Sequence, residues 1–324
     1  MKNQNRKMKS GLCVFSAGTL LAGTAVFASS GLVPPSFDAG DPSSTALTQT
    51  KLANQRLIDM QMKTVPHAAA DPSSWFQTPS VFGEYGYNNS KDRRLGGFET
   101  DAHSGTAGLD FQTKGGVGIG AMVNYGSTSG STEFPGHITD EADNIGLTLS
   151  AMKRIDWFYF GLSAGYDYSD ALMVTPVGNR LGTLADSYTL SPFIGGMYVK
   201  GNFSFSVTPT MVFRWQEFGY NVNGAGTPGD NSSDATFVWM NKVSYNVTEK
   251  LSLALLANWT CVVDEQRVRA AAAQPKADDN WFTAGPKVAF KFTDKFSVYA
   301  SYTIDFGTST YENQQVTAGL TFNF

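Results

Sequence analysis

Cysteine is almost missing from this sequence. Of 324 residues only Cys13 and Cys261 carry a thiol. Cys13 falls in an N-terminal segment that reads as removable, so the remaining chain has no internal disulfide to draw on. Charge is scarce too, with Asp, Glu, Lys and Arg together making 16%. Basic residues are the rarer sign, 24 Lys+Arg against 28 Asp+Glu, and that balance lacks the basic footprint nucleic-acid binding requires. No stretch beyond residue 28 is apolar enough to cross a bilayer as a helix. What the chain does have is glycine, 33 residues, and aromatic side chains, 13% within a 42% hydrophobic total. With a mean hydropathy of −0.19, this composition suits alternating strands better than helices.

Residues 1–28 set the compartment. Lys2, Arg6, Lys7 and Lys9 make a basic start without an acidic residue, and a small-residue apolar stretch runs from Gly11 to Val26-Phe27-Ala28. That is the layout of a secretory signal peptide, with cleavage expected before Ser29. An anchoring helix would need about 20 strongly apolar residues, and this stretch is diluted by Ser16, Gly18, Thr19, Gly23 and Thr24. Cys13 precedes the apolar core, which argues against a lipid-modified cysteine. Removing the four cations leaves 20 Lys+Arg against 28 Asp+Glu, a mature charge near −8.

Residues 29–72 form a separate N-terminal segment, rich in Pro, Ser, Ala, Thr and Gln. It holds one helical candidate at about 44–64, with Ser43 or Ser44 as N-cap and Pro66 as stop. Leu47, Leu52, Leu57, Ile58 and Met60 give it a thin apolar stripe, surrounded by Gln49, Lys51, Asn54, Gln55, Arg56, Asp59 and Gln61. A helix this polar does not suit a dry core, yet at about 1.5 Å per residue it would reach across a bilayer core.

From Ser73 to Phe324 the pattern changes to period two, the mark of strands. Twelve segments alternate, near 74–88, 104–113, 116–128, 142–153, 156–169, 186–199, 202–220, 235–246, 250–263, 280–292, 295–307 and 311–324. In the fifth, Phe158, Phe160, Leu162, Ala164, Tyr166 and Tyr168 share a face; in the eleventh, Phe296, Val298, Ala300, Tyr302, Ile304 and Phe306 do so. The connections alternate short and long. Short ones lie at 113–115, 154–155, 200–202, 247–249 and 293–295; long ones lie near 89–103, 129–141, 170–185, 221–234 and 264–279. Such parity is the habit of transmembrane barrels. Two aromatic girdles agree with it. Trp157, Tyr198, Tyr245, Phe292 and Phe324 fall beside the short turns, and Tyr85, Tyr125, Tyr166, Trp215, Trp259 and Trp281 toward the long loops, where amphipathic rings meet the membrane interfaces. The apolar face is read as facing lipid and the other as small and polar throughout. The expected fold is all-β: a 12-stranded antiparallel transmembrane barrel over 73–324, with the N-terminal helix in its lumen.

Three stretches resemble the translocator (β-barrel) domain of the autotransporter family of Gram-negative outer membranes. They are the glycine-spaced hairpin Gly105–Gly126, the segment Phe160–Ser169, and the ending Thr317-Ala-Gly319-Leu-Thr-Phe322-Asn-Phe324. The ending resembles the signal read by the barrel assembly machinery, and its residues are Thr317, Gly319, Phe322 and Phe324. The resemblance covers about 73–324 and implies a twelve-stranded barrel with a polar helix threading the pore. Only about 15 residues would precede that helix after cleavage, so no sizeable passenger is expected. The family's cleavage residues within the helix are not recognisable here.

The candidate chemistry is thin. His103 and His137 fall on the first two long loops near Glu99, Asp101, Glu133 and Asp140, without a spacing that sets metal ligands or a proton relay. His67 stands alone. Gly116-Val-Gly-Ile-Gly120 lacks the following helix and Lys-Ser/Thr of a phosphate loop, and reads as a smooth lumen stripe leaving room for a helix or water. No enzyme activity, cofactor or metal is expected. Glu84, Asp110, Arg214, Lys242, Lys287 and Asp305 sit on the polar phase of their strands. They line either a selective pore or a set of ion pairs with each other and with Lys51, Arg56 and Asp59 of the helix. Two functions stay open: a surface or structural barrel closed by its helix, and a passive pore for small solutes. Expected partners are outer-membrane lipid and the assembly machinery, with the protein a monomer; the sequence names no extracellular ligand.

Overall fold

The computed structural model describes residues 45–63, 76–93, 98–132, 138–174, 180–219, 231–266 and 278–324. The signal segment 1–28, the cleavage point before Ser29, His67, Glu133 and His137 lie outside the described residues. Helix α1 spans Thr45–Lys63. The strands are β1 (Phe76–Asp92), β2 (Phe98–Thr113), β3 (Val117–Thr132), β4 (Ile138–Ile155), β5 (Phe158–Val174), β6 (Arg180–Lys200), β7 (Phe203–Phe218), β8 (Asn231–Asn246), β9 (Leu251–Gln266), β10 (Asn280–Lys291), β11 (Phe296–Phe306) and β12 (Tyr311–Asn323). Each pairs antiparallel with its sequence neighbours, and β12 closes on β1 from Ser80↔Asn323 to Asp92↔Tyr311. Closure leaves no open edge, which in lipid would strand backbone groups at several kcal/mol each.

Most strands outrun their alternating cores. β1 continues through Asn88-Asn89-Ser90-Lys91, β2 begins at Phe98 rather than 104, and β6 begins at Arg180 rather than 186. The expected long loops near 89–103, 129–141 and 170–185 are therefore mostly strand. Polar strand residues carry no period-two hydropathy signal, yet once paired they satisfy their backbone as well as apolar ones do. A membrane crossing takes about 9–11 residues, so the 17 of β1 and 21 of β6 carry the wall well above the hydrocarbon. The turns on the opposite rim are tight, and Gly116 and Gly201 adopt positive φ (74° and 58°) there, a conformation glycine takes without steric cost.

The outward face is the apolar one. Val81, Leu109, Val123, Leu147, Leu162 and Ile194 are exposed in a belt, with Trp157, Tyr198, Tyr245 and Phe324 toward the short turns. Toward the other rim, tyrosine hydroxyls reach polar groups: Tyr87 to Asp101 at 2.6 Å, Tyr125 to Asp143 at 2.9 Å and Tyr166 to Asp186 at 2.6 Å. Ring in hydrocarbon and hydroxyl on a carboxylate mark the level where lipid gives way to water.

The inward face departs from expectation. It is not small and polar throughout, because Phe82, Met122, Met152, Tyr159, Phe193, Met197 and Trp281 are buried inside. Trp281, expected in the girdle by its height, is 1% exposed; the pleat of β10 turns it inward. Several inner rings lie over glycines of the adjoining strand. A Cβ added to Gly195 would stand 2.5 Å from the Tyr159 ring, and one on Gly319 2.5 Å from Tyr299. The Tyr159 hydroxyl also donates to the Val207 carbonyl at 3.1 Å and meets Thr208 Oγ1.

Three neighbouring connections on the long-loop rim are tied together. The Asp278 carboxylate accepts from Ser309 N (2.8 Å), Ser309 Oγ (2.7 Å), Thr310 N (2.7 Å) and Thr310 Oγ1 (2.5 Å). Thr310 O in turn accepts from Arg93 N at 2.8 Å. Partial burial works to raise the Asp278 pKa, but the bonds from Thr310 and Ser309 outweigh it and hold the carboxyl below its ordinary range. A carboxyl held low stabilises the fold above its unfolded pKa of about 3.9 and loses that contribution only as pH falls through the lower folded value. The clasp is thus expected to persist from about pH 5 to about pH 8. Asp278→Ala should speed hydrogen exchange at Ser309 and Thr310 by about tenfold at pH 7, as expected for charge-assisted bonds discounted for solvent. Unchanged exchange would show that the turn holds itself.

The helix-filled lumen as candidate functional site

Helix α1 lies inside the barrel, and its side chains touch the inner wall almost all the way round. Its last turn is fixed near the short-turn rim, where Arg154 Nη1 donates to Gln61 O at 2.9 Å. Cations suit a helix C-terminus because they meet its unpaired carbonyls. At the other end Leu47 packs with Val212, Val238, Met240, Val262 and Trp281 below the long-loop rim. Nineteen residues at about 1.5 Å each give a plug about 28 Å long.

The seat is partly dry, more so than the polar composition of the helix suggested. Leu57, Ile58 and Met60 form one cluster with Met152, Tyr159, Phe193 and Met197, and Ala53 joins Phe82 and Met122 with Leu52 against them. Gly118 and Gly120 supply the close approach: a Cβ on Gly118 would stand 2.6 Å from Met60 Cε, and one on Gly120 3.5 Å from Leu57 Cδ2. That is the room the glycine spacing of β3 promised. Polar side chains fill the remaining contacts. Asn54, fully buried, donates to Ser191 Oγ at 3.3 Å and accepts from Ser163 Oγ at 2.5 Å. Gln49 accepts from Thr106 at 3.3 Å.

The six lumen charges divide between helix and wall. Asp110 pairs with Arg56 at 3.0 Å, and the guanidinium also lies 3.3 Å over the Phe82 ring. Lys242 reaches Asp59 at 2.6 Å and Lys287 reaches it at 3.7 Å. Lys287 stands 4.0 Å over the Tyr299 ring, whose hydroxyl donates to Glu84. Arg214 pairs along the wall with Asp234 at 2.6 Å, and Asp305 accepts from Asn313 at 2.7 Å. The alternation put these residues on the inner face. It did not pick out Tyr299, Arg154, Tyr159 or Trp281, whose strand phase was the available signal.

The C-terminal residues are placed by the closing seam. Thr317 and Gly319 face inward, and Phe322 and Phe324 face outward with ring centroids 5.1 Å apart. Phe324 N donates to Pro79 O at 3.0 Å. The histidine candidates do not converge. His103 sits on the outer face of β2 rather than in a loop, with Nδ1 2.7 Å from the Tyr85 hydroxyl. Asp140 is buried on the inner face of β4, on the other side of the wall. Among the described residues no group of three or more His, Cys, Asp or Glu could hold a metal ion.

No protein-family model and no curated protein matches the sequence. Solved structures do match the fold. The translocator domain of autotransporter NalP from Neisseria meningitidis superposes with a TM-score of 0.65 at 14% identity, over 86% of this chain and 96% of that one. The beta domain of the Bordetella autotransporter Brka gives 0.60 at 11% identity, over 76% and 100%. The transport unit of the autotransporter AIDA-I from Escherichia coli gives 0.59 at 12% identity, over 84% and 98%. The fold of this protein is that of an autotransporter translocator domain, a twelve-stranded transmembrane barrel.

Proposed function

We propose that this protein is an integral outer-membrane barrel, exported by a cleaved signal at 1–28 and acting as a surface or structural barrel that its own helix keeps closed. Residues 29–72 are then the N-terminal segment that supplies the plug, and 73–324 the barrel, resident as a monomer in outer-membrane lipid. One observation carries the reading: α1 is seated against the inner wall by both dry packing and ion pairs. A helix about 10 Å across takes up most of a narrow lumen, which makes a passive pore for solutes the weaker reading. No catalytic role is assigned. The test is conductance in reconstituted membranes. Deleting residues 29–72 should raise it strongly while the barrel stays heat-modifiable; equal conductance with and without the segment would refute the closed barrel and favour the pore.

A further inference from the structure

Sheets tolerate proline at their edges, and a closed barrel has none. Pro192 of β6 pairs with Leu162 of β5, and Pro209 of β7 pairs with Trp239 of β8, in ladders that run unbroken. Between β6 and β7 the ladder breaks. Leu190↔Phe213, Phe193↔Thr210 and Gly196↔Val207 remain, while Ser191 with Val212, Pro192 with Met211, Ile194 with Pro209 and Gly195 with Thr208 drop out. Antiparallel partners alternate between pairs that exchange both backbone bonds and pairs that exchange none. The absences fit two bonded pairs, Pro192 with Met211 and Ile194 with Pro209, each short of the donor that proline lacks. Both missing donors face the same seam, so Met211 O and Ile194 O lose their ladder partners. Pro286 takes a single donor from β10–β11, opposite Tyr302. The β6–β7 gap lies between outward Tyr188 and Trp215 toward one rim and Tyr198 and Phe203 toward the other. That is the height of the hydrocarbon, where an unmet backbone group is costly.

The lumen side carries a substitute for the lost bonds. The Tyr159 side chain of β5 crosses β6 over Gly195, whose added Cβ would stand 2.5 Å from the ring. Its hydroxyl donates to Val207 O of β7 at 3.1 Å and meets Thr208 Oγ1. One side chain thus ties β5 to β7 beside the gap. Tyr159, Phe193 and Met197 in turn pack on Leu57, Ile58 and Met60 of α1, so the helix backs the seam from within. The fit is still imperfect: Thr210 is 3% exposed, and its Oγ1 finds no hydrogen-bond partner among the described residues. We propose that the β6–β7 seam is where this wall parts toward lipid, and that the Tyr159 hydroxyl, backed by α1, is the tie that keeps it shut. The part played by α1 rests on the helix-closed barrel proposed above; the proline gap does not. Local opening follows the stretch held by the fewest backbone bonds. With α1 seated, the Tyr159 ring is held between helix and wall. Without α1, a single side-chain tie spans the gap.

The experiment is residue-resolved amide hydrogen exchange of the full mature chain in reconstituted bilayers. The reporters are the amides of Ile194 and Met211, which still face the gap. The reference amides are those of Leu149 and Ala164, in strands whose ladders are unbroken on both sides. In the unaltered protein Ile194 and Met211 should exchange about tenfold faster than the reference, as the loss of two ladder bonds implies. Pro192→Ala combined with Pro209→Ala restores both donors and should bring the rates together. Tyr159→Phe keeps the ring over Gly195 and removes the tie; it should speed Ile194 and Met211 several-fold and leave the reference alone. Deleting 29–72 should speed them further. Heat-modifiability establishes that each barrel is folded. If Ile194 and Met211 match the reference in the unaltered protein and in Tyr159→Phe, the seam is no weaker than the rest of the wall and the proposal falls. A Tyr159→Phe protein that exchanges like the unaltered one removes the tie, and a deletion that speeds reporters and reference equally removes the backing by α1. Conductance of the same deletion tests the closed barrel separately.

Discussion

Leu57→Asp is expected to empty the lumen and leave the barrel wall standing. Leu57 is fully buried against Gly118, Gly120 and the cluster of Met152, Tyr159, Phe193 and Met197. Removing its side chain forfeits about 1.5–3 kcal/mol of apolar burial. An unpaired carboxylate in that place adds several kcal/mol more, because nothing nearby compensates its lost hydration. The ion pairs of Arg56 and Asp59 hold the plug from the wetter side, but buried pairs roughly balance their own desolvation. The dry cluster is therefore what the helix cannot lose. The wall does not depend on it, since its ladders run strand to strand. Conductance should rise to that of the 29–72 deletion, with heat-modifiability and strand circular dichroism unchanged. A folded Leu57→Asp protein that conducts like the unaltered one would show that polar contacts alone hold the helix.

Phe324→Ser, or removal of Phe324, is expected to leave unfolded chain in the periplasm. The side chain is 67% exposed and touches little besides Phe322, while its backbone bond to Pro79 O survives any substitution. The folded barrel should lose well under about 1 kcal/mol, as for other exposed sites. A large effect on assembly would then act before folding, on a chain whose last strand is still free to be read. We attribute that reading to the pattern Thr317, Gly319, Phe322 and Phe324 and to the barrel assembly machinery. Asn323→Ser, on the inward face of the same strand, is the paired control and should assemble normally. Quantifying heat-modifiable protein in outer-membrane fractions decides the matter: equal yields of the two variants would remove the signal assignment.

The strand count, the strand phases and the inward position of Glu84, Asp110, Arg214, Lys242, Lys287 and Asp305 were legible because pleating is local. Successive side chains point to opposite faces whatever the rest of the chain does, and a wall between lipid and water imposes opposite polarity on those faces. The same rule hid the strand ends on the long-loop rim. Asn88 to Lys91 and Phe98 to His103 rise above the hydrocarbon, so both faces meet polar surroundings and alternation fades. Trp281 was misplaced because height in the wall was weighed above phase. His103 was assigned to a loop for the same reason that its strand was cut short.

The residues by themselves determined a chain of twelve alternating strands with a lipid-facing apolar belt, two aromatic girdles and one polar helix ahead of them. Each follows from side chains a few positions apart meeting a solvent of known polarity. Only the tertiary structure decided where the helix sits and which wall residues it meets. Leu57 meets Tyr159, and Asp59 meets Lys242 and Lys287, across roughly 100 to 230 residues of sequence. Those encounters are set by closure of β1 on β12 and by the packing volume left inside. No local pattern encodes that volume.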